Sequence, residues 1–110
     1  MYVPLHNHSE YSFFDGYQSP VEMAQRAKEI GAPAIALTDH GTLNGIVRFV
    51  DACTEAGVKP ILGCEMYWTP DMHDKGKDTI TRHLVLWAAT DDGYKNLMAL
   101  NSIGQLEGAF

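Results

Sequence analysis

The feature that most narrows the fold of this chain is a four-residue run, Ala34-Ile35-Ala36-Leu37, apolar throughout and set between two segments of helical character. A strand that is apolar on both faces has to be covered on both sides, which is the situation inside a parallel sheet. The segment before it opens with Ser19-Pro20-Val21-Glu22. Ser can cap a helix, Pro suits the first helical position, and Glu three residues past the cap completes a capping box. Val21, Ala24, Ala27 and Ile30 then recur every three residues, so a helix is predicted as far as Gly31, which supplies the stop.

A second helix is predicted from Leu43 to Ala56, with Leu43, Ile46, Val47, Val50 and Cys53 on one face and Gly57 ending it. Further strands are expected at Tyr2–Leu5, Lys59–Tyr67 and His83–Ala89, and Asp91-Asp92-Gly93 opens a third helix with Tyr94, Leu97, Met98 and Asn101 near one face. Thr69 to Thr81 is polar and reads as an exposed excursion. Strands alternating with helices predict right-handed crossovers and a parallel sheet or barrel.

With 110 residues, 45% hydrophobic and 20% charged, the chain is either one small globular domain or the opening of a larger one. Fourteen acidic residues against eight basic ones give a formal charge of −6, which excludes a surface that grips phosphate backbones unaided. Cys53 and Cys64 form no C-x-x-C pair and read as reduced core residues of an intracellular protein. No apolar run approaches the roughly 18 residues a bilayer requires, and no charged segment followed by an apolar one opens the chain, so a cytoplasmic location without membrane contact is expected.

The polar residues carry the chemistry. His6 and His8 are two apart, so on an extended backbone both imidazoles leave the same face. Asp39 and His40 follow the apolar run directly, Glu65 lies late in the next strand, and His83 opens the one after. In parallel sheets and barrels the loops at the C-terminal strand ends converge, so His6, His8, His40 and Glu65 can meet. Imidazoles with carboxylates bind zinc, manganese or iron well, and a carboxylate between two ions can bridge them. Asp39 reads as a hydrogen-bonding support, His73 as a solvated loop residue, and the aromatic stretch Tyr11 to Tyr17 as packing.

These stretches resemble the polymerase and histidinol phosphatase (PHP) domain found at the N-terminus of bacterial replicative DNA polymerase III alpha subunits. The matching pieces are Leu5-His6-Asn7-His8-Ser9-Glu10-Tyr11-Ser12 with Asp15-Gly16, Ala36-Leu37-Thr38-Asp39-His40-Gly41, Lys59 to Tyr67, and His83-Leu84-Val85-Leu86 with Gly93-Tyr94-Lys95-Asn96-Leu97. The resemblance implies an α/β fold, the N-terminal portion of a distorted, TIM-like (β/α)7 barrel of parallel strands, truncated here, with residues 1–110 as an incomplete PHP domain. It implies up to three divalent ions, zinc, manganese or iron. His6 and His8 would hold one with Glu65, which would bridge to a second also bound by His83, while Asp15 and His40 would serve a third. Asp15 stands where phosphatase members more often carry a His. Asp39 would lie behind the ligands, and no residue beyond the ligands is implied as catalytic.

The family's last ligands, a further His and a D-x-H pair, would lie past Phe110, so the remainder of the alpha subunit or another chain is expected to complete the site. The implied activity is metal-dependent phosphodiester hydrolysis at a DNA 3′ end, giving 3′-to-5′ proofreading within a DNA-directed DNA polymerase. The isolated chain is expected to be inactive and prone to associate. A non-catalytic scaffold for the polymerase core and a stand-alone phosphatase, such as one acting on histidinol phosphate, are the alternatives.

Overall fold

The structure, a computed structural model, describes residues 1–76 and 78–108. Three strands, β1 (Ala34–Leu37), β2 (Lys59–Trp68) and β3 (Arg82–Trp87), form one sheet in the order β1-β2-β3. The helices are α1 (Pro20–Glu29), α2 (Ile46–Ala56) and α3 (Asp91–Ile103), followed by a π-helical turn at Gly104–Gly108.

The predicted start of α1 and the predicted stop of α2 are where the local chemistry demands them. Ser19 caps α1 and forms the reciprocal pair with Glu22, and Gly57 ends α2 in the left-handed conformation at φ 76°. The faces differ from the expected stripes. Val21 and Ile30 are exposed while Met23, Ala24 and Ala27 are buried, because a three-residue repeat drifts around a helix of 3.6 residues per turn. In α2 the buried stripe is Ile46, Phe49 and Cys53, and Val47 faces outward. This helix starts at Ile46, not Leu43, since Thr42 Oγ1 accepts from the Asn44 amide and holds a turn there. The core lies where α1 and α2 cover the sheet, built from Met23, Ile35, Leu37, Ile46, Phe49 and Cys53.

Two expectations about strands are overturned. Tyr2–Leu5 is not a strand, although the extended N-terminal segment lies against β1, with the Ala36 amide donating to Pro4 O and the Thr38 amide to Asn7 O, both at 2.9 Å. Pro4 has no N–H to give, and the Asn7 side chain bonds Ala36 O instead of a backbone donor.

The sheet is also mixed, not wholly parallel. β1 and β2 run parallel, but β2 and β3 are antiparallel, pairing Gly63 with Trp87 through Trp68 with Arg82. No helix intervenes between β2 and β3 among the described residues, and without a helical crossover the chain folds back beside the strand it has just left. Residues 69–81 hold neither helix nor strand where described, and Lys77 lies outside the described residues.

Candidate metal centre

The antiparallel return determines which side chains meet. Along β2 the side chains of Glu65 and Tyr67 leave the same face, and the register sets His83 directly opposite Tyr67. Beyond β1, a bridge between His40 and Glu65 continues the parallel ladder, with the Glu65 amide donating to Asp39 O and the Gly41 amide to Glu65 O, both at 2.9 Å. His40 is thus carried to the flank of Glu65 by backbone bonds. His83, at the start of β3, reaches the same end of the sheet because its strand runs the other way.

Glu65 is buried, at 3% exposure, and four imidazoles surround its carboxylate. Oε1 faces His6 Nε2 at 2.9 Å and His83 Nδ1 at 3.6 Å, whereas Oε2 faces His8 Nε2 at 2.9 Å and His40 Nδ1 at 2.7 Å. Asp15 closes the far side, its Oδ2 lying 2.8 Å from His8 Nδ1 and 2.7 Å from His40 Nε2. All six residues carried over from the resemblance, His6, His8, Asp15, His40, Glu65 and His83, therefore lie in one cluster.

The electrostatics follow from this crowding. Burial pushes the Glu65 carboxyl up, but His40, His6 and His8 together outweigh it and hold the group below its ordinary value. The hydrogen bond with His40 holds Asp15 below its own, with His8 adding to the effect. His8 and His40 each show both ring nitrogens to carboxylate oxygens. A neutral imidazole has one N–H and one lone pair, so in each ring one nitrogen would oppose an oxygen with nothing between them. A second proton on the ring or a bound cation removes that conflict, and the donor set is one that divalent metals take. Two triads, His6, His8 and Glu65, and His8, Asp15 and His40, each have donor atoms within 4.8 Å of one another, so these residues fit divalent metal.

Asp39 is placed differently. Fully buried beneath the cluster, it accepts from the Ser9 amide at 2.6 Å, Ser9 Oγ at 2.7 Å and Ser12 Oγ at 2.8 Å. It ties the loop bearing His8 to the end of β1. Gly16 makes the same loop possible, since a Cβ there would lie 1.9 Å from Ser9 O. Asn101 in α3 and Gln105 in the π-helical turn both donate to Gly41 O at 2.8 Å, clamping the residue after His40.

Sequence reasoning missed Tyr67, whose hydroxyl lies 3.3 Å from His40 Nδ1 and whose ring stacks on His40. Its spacing of two from Glu65 on a strand was the available signal. The aromatic stretch is not uniformly packed. Tyr11 bonds Arg48, but Phe13 and Phe14 are exposed on a turn closed by Ser12 O, with Phe14 at φ 65°, and Tyr17 is exposed just beyond it. His73 is exposed as expected, and both cysteines are buried, their thiols pushed up to about 11 by burial.

The fold and the cluster define an α/β chain with a histidine and carboxylate centre at one end of a mixed sheet. The chain belongs to the PHP domain family, whose pattern matches residues 4–110. It is 42% identical over 113 residues to DNA polymerase III subunit alpha of Chlamydia pneumoniae, covering 99% of this chain and 9% of that protein. The subunit alpha of Treponema pallidum is also 42% identical, with 99% and 10% covered. The chain thus spans about a tenth of the length of these relatives. Among solved structures it is similar to an amidohydrolase from Chromobacterium violaceum with bound sulfate and no metal, at a TM-score of 0.61 and 28% identity over 96% of this chain and 34% of that one. A protein from Bifidobacterium adolescentis described as a metal-dependent phosphoesterase has the same fold, with a TM-score of 0.63 at 21% identity over 88% and 32%. Among the described residues no helix is long and apolar enough to cross a membrane.

Proposed function

We propose that residues 1–110 are the N-terminal part of the PHP domain of a replicative DNA polymerase III alpha subunit, acting in the cytoplasm and contributing a metal-dependent phosphodiesterase site that trims a DNA 3′ end. The observation that carries this reading is the pair of imidazoles, His8 and His40, each held between the carboxylates of Glu65 and Asp15 at 2.7–2.9 Å. Every ion pair at Glu65 and Asp15 among the described residues is made with an imidazole and none with Lys or Arg, and a purely structural pair would not need that composition.

In this reading His6, His8 and Glu65 hold one cation, Glu65 and His83 a second, and Asp15 and His40 a third, with zinc, manganese or iron as candidates. Bound there, the cations would lower the pKa of a coordinated water toward neutrality and neutralise charge on the phosphoryl oxygens. The protein's own contribution is to hold both Glu65 oxygens between opposed imidazoles, ready to bridge. An open cleft of about 620 Å³ beside His40, lined by Tyr11, Phe13, Thr42, Asn101 and Gln105, gives room for the ester. With a net charge of −6, the chain depends on those cations or on the rest of the polymerase to approach DNA.

The test uses the intact polymerase subunit. His8→Ala should abolish release of nucleotides from a single-stranded 3′ end while leaving chain extension in place. Unchanged hydrolysis with less than about one tightly held ion per chain would leave a scaffold role in its stead. Hydrolysis of a phosphate monoester with no action on DNA would point to a metabolite phosphatase.

A further inference from the structure

We propose that Tyr67 is a positioning residue of this centre: its hydroxyl accepts a hydrogen bond from His40 Nδ1 and so fixes the Nε2 lone pair of His40 toward the cation position beside Asp15. The inference deepens the metal-centre reading and rests on it.

Three observations converge on this side chain. The Tyr67 hydroxyl lies 3.3 Å from His40 Nδ1 in hydrogen-bonding geometry, and the two rings are nearly parallel, at 14° with centroids 6.1 Å apart. The same ring meets His83 edge-on, at 78° and 5.2 Å, so one side chain braces imidazoles on both sides of Glu65. Gly41 lies against it as well, where a Cβ would stand 3.7 Å from the Tyr67 ring.

The chemical need is specific to His40. A metal-bound imidazole gives its other N–H to a fixed acceptor, which sets the tautomer and the ring's orientation. His40 Nδ1 has two oxygens near it, Glu65 Oε2 at 2.7 Å and the Tyr67 hydroxyl. If Glu65 took the N–H, that oxygen would be withdrawn from bridging. A neutral phenol oxygen can accept the same hydrogen and leave the carboxylate free for cations. Tyr67 sits two residues beyond Glu65 on β2, so the strand that supplies the bridging carboxylate also supplies the group that spares it.

The experiment titrates the intact chain with Mn2+ and Zn2+ and compares Tyr67→Phe, which keeps the ring and removes only the hydroxyl. Affinity at the Asp15 and His40 position should fall about ten- to a hundred-fold, the usual consequence of losing such a partner. In an Asp15→Asn background the same change should leave the remaining affinity alone, because the cation it supports is already lost. Nitrogen NMR of the zinc-loaded chain should show a slowly exchanging His40 Nδ1 proton that disappears in Tyr67→Phe. Equal affinity in Tyr67→Phe and the unaltered chain, or an equal loss with and without Asp15, would overturn the role of Tyr67 while the metal centre stood. Failure of the unaltered chain to bind either metal would overturn both readings.

Discussion

Asp39, just past β1, and Glu65, within β2, are both buried carboxylates, linked by the bond from the Glu65 amide to Asp39 O, yet their surroundings are opposite. Asp39 is met by a backbone amide and two hydroxyls, donors whose protons are always present. Glu65 is met by four imidazoles, which can surrender a proton and turn a lone pair to a cation. A carboxylate saturated by permanent donors is a structural tie. One ringed by exchangeable donors is available for chemistry.

Substitutions should separate the two sharply. Asp39→Ala strands the Ser9 amide and two hydroxyls in the interior and should cost about 3 kcal/mol or more of unfolding free energy in denaturant titrations, with metal binding lost as a result of the disordered loop. Glu65→Gln should do the reverse. Cation affinity, followed by calorimetry, should drop by more than about a hundred-fold, while stability without metal changes by less than about 1 kcal/mol. A Glu65→Gln chain that unfolds as readily as Asp39→Ala would erase the distinction.

The smallest effect is on pH dependence without metal. Glu65 and Asp15 are held below their ordinary values of 4.5 and 3.8, so they stay ionised in the folded chain at pH values where the unfolded chain takes up protons. Their contribution to stability is complete above about pH 5 and fades as the pH falls through the range below those values. Acid unfolding followed by circular dichroism should show this slope flattened in Glu65→Gln, and an unchanged slope would mean the imidazoles do not act on Glu65 as described.

Much of this was legible in the residues because it is local. The capping box at Ser19, the stop at Gly57 and the doubly apolar run of β1 depend on neighbours within a few positions, and His6 and His8 are a spacing of two. The reversal of β3 is encoded not in Arg82 to Trp87 but in the connection before it, a polar excursion with no helix to carry a parallel crossover, and the alternation of the other strands and helices masked that signal. Pro4 announced the missing donor at the N-terminal segment, but the compensating Asn7 bond joins residues 29 apart. Tyr67 was obscured for a related reason: an aromatic near a strand end reads as packing until His40 and His83 are known to lie on either side of it.

The shared acceptor at Gly41 reaches further than the loop it belongs to. Because two side-chain amides, from α3 and the π-helical turn after it, hold that carbonyl, a chain ending after Trp87 would keep all six candidate ligands and the backbone bonds that join His40 to Glu65, yet lose the hold on the carbonyl of the next residue. The stiffness of the pocket's rim is therefore set in part by residues that contribute no donor atom to it, some 60 positions downstream of the turn they brace.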